Sequence, residues 1–311
     1  MIAQISRSLA LPRLQSQVVK ATAPLASRLK QVLLGVAWSL RPPRLYGVPA
    51  TLALVARHFA GFGPKRGALP DPDKALNYPD GLVGICSDMS VPTLLLAYAK
   101  GLFPFSHIGP QKWWAPKERM VSFPENVYIS KTTRRLIRIK QFDVTFDSDF
   151  AGVIDACAAP RPGRPHLTWI TPDIIEHFTA LHEAGYAHSV EVWDRSGTLA
   201  GGLYGLAVGK VFFTESMFSR ERDASKIGFI TLSRHLQHWG FVLNDGKRMT
   251  GHLSQLGFTL VPRKAFNAVL ATACRVPGQV GRWSVDDRLD IANWEPKAPA
   301  GRDRHLAHLP A

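Results

Sequence analysis

The order of predicted elements indicates an α/β (α+β) protein with a mixed sheet, preceded by a small N-terminal domain and a basic N-terminal extension. Helical and strand-like patterns alternate over residues 131–275, which is typical of a sheet covered by helices. Pro, Gly and Asp are concentrated over residues 61–80, as in a linker. The first 70 residues contain ten Lys or Arg and no Asp or Glu, so most of the net charge of +14 lies there.

Residues 1–80 form the predicted basic extension, which we expect to be partly disordered. An acid-free segment suits a polyanion such as RNA or an anionic membrane surface, and it also fits a solvated tail or a transit peptide. Residues 25–40 predict a short amphipathic helix that is interrupted by Arg28 and Lys30. We therefore expect no stable membrane span. The cysteines, Cys86, Cys157 and Cys274, lie far apart and indicate free thiols in a reducing compartment, consistent with a cytoplasmic protein.

Residues 81–130 predict a small first domain. An apolar run at 81–85 lies between glycines, and Ser90 is the predicted N-cap of a helix that Gly101 ends. Phe-Pro-Phe at 103–105 and Trp-Trp-Ala-Pro at 113–116 are predicted to be aromatic loops held by their prolines.

The mixed-sheet domain is predicted over residues 131–275. Thr171 caps a helix that begins with Pro172 and ends at Gly185. Gly209-Lys210 joins two strands into a hairpin. The other predicted helices cover 131–140, 150–158, 223–240, a short segment ending at 257, and 264–273, and the predicted strands cover 143–146, 188–193, 199–208, 211–216, 241–245 and 259–261. Residues 276–311, which carry Pro, Arg and Trp, are predicted to be a loose tail.

The segment Phe-Phe-Thr-Glu-Ser-Met-Phe-Ser-Arg at 212–220 contains one carboxylate among aromatic and thioether side chains. Burying a carboxylate in apolar surroundings is costly unless it is paired, so Glu215 is a candidate site residue. It could orient a substrate ammonium, act as an acid or base, or pair with a nearby arginine such as Arg220. Phe213 and Met217 alternate with it and are expected on the same face of the strand.

Four cations, Lys131, Arg134, Arg135 and Arg138, recur at helical spacing with no acid among them. Like charges at this spacing repel, a cost that phosphates lying opposite would offset. The stripe therefore favours nucleic acid over a merely solvated helix face.

Other candidates are aromatic or charged side chains next to predicted turns. Phe105, Trp113 and Trp169 could stack a base or close a pocket, or they could belong to the core. Asp245 and Lys247 follow a strand, where a carboxylate suits a general base for an attacking amine, although an exposed ion pair fits equally well. His177 and His182 have the wrong spacing for a shared metal and HExxH is absent, so no metal site is expected.

These motifs together resemble the leucyl/phenylalanyl-tRNA–protein transferases over roughly residues 81–270. The matching pieces are Ser-Val-Pro-Thr-Leu-Leu at 90–95 with Tyr98, Gly-Leu-Phe-Pro at 101–104, Trp-Trp-Ala-Pro at 113–116, Thr-Trp-Ile-Thr at 168–171, His-Ser-Val-Glu-Val-Trp at 188–193, Gly-Gly-Leu-Tyr-Gly at 201–205, Glu-Ser-Met-Phe-Ser at 215–219, Ala-Ser-Lys at 224–226 and Leu-Gly at 256–257.

The resemblance implies a second domain of the GNAT type and a reaction with aminoacyl-tRNA as co-substrate and no other cofactor. Leu-tRNA or Phe-tRNA would be the donor, and a protein beginning with Arg or Lys, destined for N-degron proteolysis, the acceptor. We expect a monomer. The family roles map as follows: Phe105 and Trp169 on the aminoacyl-adenosine, Glu215, Met217 and Ser219 lining the site, the stripe from Lys131 to Arg138 on tRNA, and Asp245 drawing a proton from the amine.

Three positions differ from the family pattern. Lys247 replaces the usual Gln, Thr250-Gly251 replaces Asn-Asp before His252, and Phe105 stands where Trp or Met is common. A lysine near Asp245 would favour its charged form and weaken it as a base, or would neutralise a developing oxyanion.

Three alternatives remain open from the sequence. One is the same donor with a lipid or small-molecule amine acceptor. Another is an acyl-CoA-dependent enzyme, which the two acids and absent glycine at 220–225 disfavour, because carboxylates repel a pyrophosphate. The third is a non-catalytic tRNA-binding relative.

Overall fold

The computed structural model describes residues 25–62, 67–160 and 167–297. The strands are β1 (Leu82–Ile85), β2 (Phe103–Pro104), β3 (Lys112–Trp114), β4 (Glu118–Ser122), β5 (Asp143–Phe146), β6 (Ala187–Trp193), β7 (Leu199–Val208), β8 (Val211–Ser219), β9 (Leu243–Asp245) and β10 (Thr259–Pro262). The α-helices are α1 (Leu25–Ser39), α2 (Val48–Arg57), α3 (Val91–Ala99), α4 (Lys131–Arg138), α5 (Phe150–Ala158), α6 (Pro172–Glu183), α7 (Ala224–His238), α8 (Gly251–Gln255) and α9 (Arg263–Ala273).

A seven-stranded mixed sheet forms the centre of the molecule. Its order is β10-β4-β9-β8-β7-β6-β5, and every neighbouring pair is antiparallel except β8 and β9. One face packs on side chains from α3, α5, α6 and α9, and the other packs on side chains from α7 and the segment that follows α9. The predicted α/β (α+β) class is confirmed, because helices cover both faces of a mixed sheet.

Local signals correctly predicted most elements of this domain. Thr171 accepts a hydrogen bond from the Ile174 N–H at the start of α6. Ser130, which was not predicted as a cap, does the same for Thr133 at the start of α4. Gly185, with φ of 80°, follows α6, because glycine reaches the left-handed region without a Cβ clash. The Asp223 side chain, in contrast, makes no capping hydrogen bond at α7 and pairs with Lys226 at 2.7 Å.

The first domain is smaller and more regular than predicted. The two aromatic segments expected to be loops form strands β2 and β3, which join β1 in a three-stranded sheet. The predicted boundary at residue 130 is also wrong, because β4 pairs with β9 and β10 inside the large sheet. Strands as short as β2 and β3 carry weak local signals, and the partners of β4 come from distant parts of the chain.

The prediction of a loose C-terminal tail is wrong for residues 276–297. Trp283 is 5% exposed and stacks on His188 with ring centroids 3.7 Å apart. Its backbone N–H donates a 2.7 Å hydrogen bond to Asp147, and Trp294 is also buried. This segment covers one face of the sheet because its tryptophans carry enough apolar surface to order it. Residues 298–311 lie outside the described part of the chain.

The extension contains two of the helices. The predicted amphipathic helix at 25–40 is confirmed as α1, and α2 follows a short turn. Disorder was predicted for part of this extension, and residues 1–24 and 63–66 lie outside the described residues. No helix within the described ranges is both long and apolar enough to cross a bilayer.

Candidate active site

Glu215 occupies a β-bulge in β8. Tyr204 pairs with Ser216 and the next residue, Gly205, pairs with Thr214, so Glu215 is the extra residue of the longer strand. A bulge redirects a side chain that regular pleating would aim elsewhere. The Glu215 side chain therefore does not follow the regular alternation of side chains along β8.

The bulge also reverses which faces the neighbouring side chains occupy. Phe213 lies opposite Leu206 and packs in the core cluster that contains Tyr98, whereas Met217 lies opposite Leu203 and packs with the cluster on the other face. The prediction that Phe213 and Met217 share one face is therefore wrong. The period of two along a strand fails when one residue is inserted.

Glu215 is buried and paired with Lys247. The Lys247 ammonium donates hydrogen bonds of 2.6 Å to Glu215 Oε1 and 2.7 Å to the Thr214 carbonyl oxygen. Exposed fractions are 9% for the lysine side chain and 2% for the glutamate. Burial raises the pKa of Glu215, and Lys247 and the Tyr98 hydroxyl offset part of that rise. A desolvated carboxylate paired with a cation is an arrangement that is common in catalytic sites.

Asp245 has a different charge partner from the one expected. Both of its oxygens accept hydrogen bonds from the Arg119 guanidinium, one of them at 3.1 Å from Nε, and the carboxylate is fully buried. Asp245 also accepts a 2.9 Å hydrogen bond from the Lys247 backbone N–H. A carboxylate with both oxygens engaged and no exposed surface is poorly placed to remove a proton from a substrate. Its geometry instead fixes the backbone of Lys247.

The two functional groups lie where β8 and β9 separate. The strands pair only from Val211 with Leu243 to Phe213 with Asp245. Beyond that point Glu215 continues on β8 while Lys247 continues past β9, with a positive φ of 63°. The Lys247–Glu215 pair therefore bridges two diverging backbones. His252 and Met217 make a second contact between the same two segments, with 3.0 Å between Nε2 and Sδ.

Phe105 and Trp169 lie together, as the proposed aromatic site requires. Their ring centroids are 5.9 Å apart, and Trp114 lies 6.4 Å from Phe105 and donates a hydrogen bond to its carbonyl oxygen. The Arg248 guanidinium lies over the Trp114 ring, 4.9 Å from its centroid. Because Arg248 directly follows Lys247 in the chain, this contact connects the aromatic cluster to the Lys247–Glu215 pair. Trp113 is 2% exposed and belongs to the core, so Trp114 is the tryptophan that borders the cluster.

Ser219 is placed apart from the Glu215 pair. Its hydroxyl donates to the Glu221 carbonyl oxygen at 2.8 Å and accepts from the Ser225 N–H at 3.1 Å. It therefore organises the turn that leads from β8 into α7.

The cationic stripe on α4 is only partly free for a ligand. Lys131, Arg135 and Arg138 are exposed. Arg134 is half-buried and donates hydrogen bonds of 3.2 and 2.9 Å to the carbonyl oxygens of Ala292 and Trp294. Three of the four predicted cations are thus available to phosphates, and the fourth ties down the C-terminal segment.

A cleft of about 200 Å³ lies between α4, α7 and α8, away from Glu215. Its lining residues are Tyr128, Ser130, Thr133, Lys226, Ile230, Gln255 and Leu256. Within the described residues, no group of three or more His, Cys, Asp and Glu side chains is arranged to hold a metal ion.

Sequence reasoning missed Arg119 and Thr214. Arg119 lies 126 positions from Asp245, and its strand β4 also contains Glu118 and Ser122, so no local pattern singled it out. Thr214 contributes a backbone carbonyl oxygen, which no sequence pattern reveals. Tyr98 was noted as part of the resemblance, but its place beside Glu215 follows from the packing of α3 on the sheet.

Comparisons with known proteins establish the family of this chain. The leucyl/phenylalanyl-tRNA protein transferase profile matches residues 121–271, and the N-terminal domain profile of the same family matches residues 87–117. A leucyl/phenylalanyl-tRNA–protein transferase of Pseudomonas fluorescens (strain SBW25) is 49% identical over 68% of this chain and 92% of its own length. A protein of the same name from Aromatoleum aromaticum is 46% identical over 72% of this chain and 94% of its own length.

Among solved structures, L-PGS from Bacillus licheniformis is similar at 12% identity with a TM-score of 0.29, over 48% of this chain and 47% of that one, too weak a likeness to bear on fold or function. The sequence relatives, in contrast, are matched over nearly their whole lengths, and both family profiles fall on the two parts that carry the site. This chain belongs to the leucyl/phenylalanyl-tRNA–protein transferase family.

Proposed function

We propose that this protein is an aminoacyltransferase that moves Leu or Phe from a charged tRNA to the N-terminal amine of an acceptor protein. The observation that carries this proposal is the buried Lys247–Glu215 pair, in a chain whose relatives bear the name of that reaction. We further propose that the protein is a cytoplasmic monomer that uses no cofactor besides the aminoacyl-tRNA. Its acceptors begin with Arg or Lys, and the transfer marks them for N-degron proteolysis.

The reaction exchanges an ester for an amide. The neutral α-amine attacks the carbonyl carbon, a C–N bond forms, the ester C–O bond breaks, and the ribose hydroxyl of the tRNA leaves with a proton. The amine loses one proton in the same sequence. The site must therefore stabilise an oxyanion and transfer a proton.

Lys247 supplies the electrostatic stabilisation. Among the described residues, Thr214 and Glu215 accept hydrogen bonds from its ammonium, which has three donors. The remaining donor is available to the carbonyl oxygen of the substrate. A positive charge in a desolvated site stabilises a developing oxyanion far more strongly than it would in water.

Glu215 is the proton acceptor in this proposal, and Asp245 is a positioning residue. Burial raises the pKa of Glu215, which makes it a stronger base than an ordinary carboxylate. Asp245 acts through its hydrogen bond to the Lys247 backbone and through Arg119. This replaces the role of base that the resemblance implied for Asp245.

The donor is held by aromatic and cationic surfaces. Phe105 and Trp169, which pack on the sheet face that carries Tyr98, stack on the terminal adenosine and border the attached Leu or Phe side chain, whereas Met217 lies on the other face. Phe213 and Trp113 support these walls from the core, and Ser219 fixes the turn behind them. On α4, Lys131, Arg135 and Arg138 contact tRNA phosphates, which positions the acceptor stem without reading its sequence.

The direct test is transfer of labelled Leu or Phe from charged tRNA to a peptide beginning with Arg. Peptides beginning with Lys and Ala, free amines and lipid amines form the acceptor panel. We expect transfer to the Arg and Lys peptides only. Absence of transfer, with tRNA that an authentic relative can use, would refute the proposal, and transfer to a lipid or small amine alone would assign a different acceptor.

A further inference from the structure

Helix α1 has one exposed aliphatic face. Four large side chains of α1, together with Leu40 directly after its end, lie within an arc of about 100° on a helical wheel. Each is 41–61% exposed, and they are Leu29, Val32, Leu33, Val36 and Leu40. A soluble helix normally turns such a face inward, so this one has been left for a partner.

The opposite face of α1 is already used. The Trp38 ring contacts His107 edge-on with centroids 4.7 Å apart, and His107 contacts Phe105 at 4.9 Å. Gly35 is buried so closely against Ile108 that a Cβ at this position would lie 2.1 Å from it. The docked face anchors α1 to the first domain, and the aliphatic face points away from it.

Exposed apolar residues continue beyond α1. They follow the connecting turn and α2, each at least 40% exposed, and comprise Leu45, Tyr46, Leu52, Phe59 and Phe62. The exposed cations Lys30, Arg41 and Arg57 have no carboxylate nearby in sequence, since Asp71 is the first acidic residue of the chain, whereas Arg44 stacks over the docked Trp38 ring. Aliphatic and aromatic side chains interspersed with cations characterise helices that lie in a bilayer interface.

We propose that the exposed apolar and cationic side chains of residues 29–62 form a docking surface for an anionic lipid bilayer. The aliphatic face enters the boundary between headgroups and acyl chains, and the cations contact the anionic headgroups. The surface is peripheral, as α1 is 15 residues long and does not span a membrane. We call this surface the lipid face.

Two other partners fit the lipid face less well. RNA would need cations and stacking aromatics, and it gains nothing from a stripe of Leu and Val. A second copy of the chain would bring two acid-free, cationic segments together, and like charges across a symmetric contact are repulsive. A bilayer with anionic headgroups satisfies both the aliphatic and the cationic groups.

The docked contacts connect the lipid face to the aromatic cluster. Because Trp38 and His107 lead from α1 to Phe105, a bilayer on the far side of α1 would lie about one helix diameter, roughly 10 Å, from the 105–108 loop. The protein would then act close to the membrane surface.

Vesicle flotation of the full-length chain tests the proposal. At low salt, most of the protein is expected to float with phosphatidylcholine vesicles containing about 40% phosphatidylglycerol, and little with pure phosphatidylcholine. The triple variant Leu33→Gln/Val36→Gln/Leu40→Gln is expected to lower the partition coefficient at least about tenfold. Lys30→Gln/Arg41→Gln/Arg57→Gln is expected to lower it by a similar factor and to weaken its dependence on salt.

The matched control replaces three aliphatic residues of comparable exposure outside the lipid face. Leu96→Gln/Val276→Gln/Val280→Gln should float like the unchanged protein, because these side chains are 47–60% exposed elsewhere on the surface. Circular dichroism and the melting temperature check that each variant is folded, and Gln preserves helix propensity.

Failure of the folded wild-type protein to float with anionic vesicles would overturn the proposal, as would equal flotation with neutral ones or unchanged flotation of the Leu33 triple variant. A concentration-dependent dimer that this variant abolishes, without vesicle binding, would assign the face to a second copy. Lowered tRNA affinity in the variant, again without vesicle binding, would assign it to RNA. None of these readouts depends on transferase activity, so the lipid face and the proposed reaction can fail separately.

Discussion

The ammonium of Lys247 donates a 2.6 Å hydrogen bond to the carboxylate of Glu215, 32 positions earlier in the chain. Neither group would be tolerated alone at this depth, because a buried ion is costly without a partner. The pair holds together two segments that part after the β8–β9 pairing ends at Phe213 and Asp245. Lys247 also stands at the position where the family resemblance leads us to expect Gln.

Glu215 should make stability depend on pH. Burial raises its pKa above the ordinary value of 4.5, so between that value and its native pKa the folded protein holds a proton that the unfolded chain has lost. The free energy of unfolding must therefore fall as the pH rises through this window. Glu215→Gln is expected to remove this fall, measured by urea unfolding from acidic to mildly alkaline pH. Parallel profiles for the two proteins would contradict the assignment.

Replacing Lys247 should separate its charge from its hydrogen bonds. Lys247→Gln keeps a donor but loses the positive charge, so we expect kcat to fall about tenfold while KM changes little. Lys247→Met removes both, and a fall of about 100-fold or more is expected in single-turnover transfer assays. Activity equal to wild type in the Gln variant would show that the charge plays no part in the reaction.

Arg119 should be necessary for the stability of the fold because it neutralises the buried Asp245. Arg119→Met leaves a fully buried carboxylate without its partner, and a loss of about 3–5 kcal/mol in the free energy of unfolding is expected. The double variant Arg119→Met/Asp245→Leu should recover part of that loss, since no unpaired charge remains. Chemical denaturation of the single and double variants measures the coupling. Strict additivity would mean that the two side chains do not interact.

The cations of α4 should divide into two kinds. Arg135→Gln and Arg138→Gln are expected to weaken tRNA binding, each lowering the slope of log affinity against log salt by about 1, with unchanged stability. Arg134→Gln should instead lower the melting temperature, because it releases the carbonyl oxygens of Ala292 and Trp294. Filter binding across a salt series and thermal unfolding provide the two measurements. A stability loss in all three variants would contradict the distinction.

The C-terminal segment should contribute to folding. Trp283→Ala removes a ring that stacks on His188 and is 5% exposed, so we expect a loss of about 3–5 kcal/mol in the free energy of unfolding. Val280→Ala is the control, since this side chain is 60% exposed and should change stability little. A Trp283→Ala protein as stable as wild type would show that the segment is dispensable.

Local patterns predicted the second domain well, and the first domain less well. The cap at Thr171, the hairpin turn at Gly209 and the stop at Gly185 act within a few residues, so they can be read from the chain directly. Strands β2 and β3 lack such signals because they are only two and three residues long, and β4 lacks them because its partners, β9 and β10, lie far away in sequence. Their prediction as loops, or as part of a separate first domain, failed for that reason.

The candidate site shows the same division. The sequence alone determined that Glu215 is a carboxylate in apolar company, that Lys247 lies two positions after Asp245, and that four cations recur at helical spacing over residues 131–138. Tertiary structure decided which charges meet: Lys247 with Glu215, and Asp245 with Arg119. It also decided, through the bulge at Glu215, that Phe213 and Met217 face opposite ways. The physical reason is that residue type and local periodicity act over a few positions, whereas ion pairing and strand register depend on segments that only folding brings together.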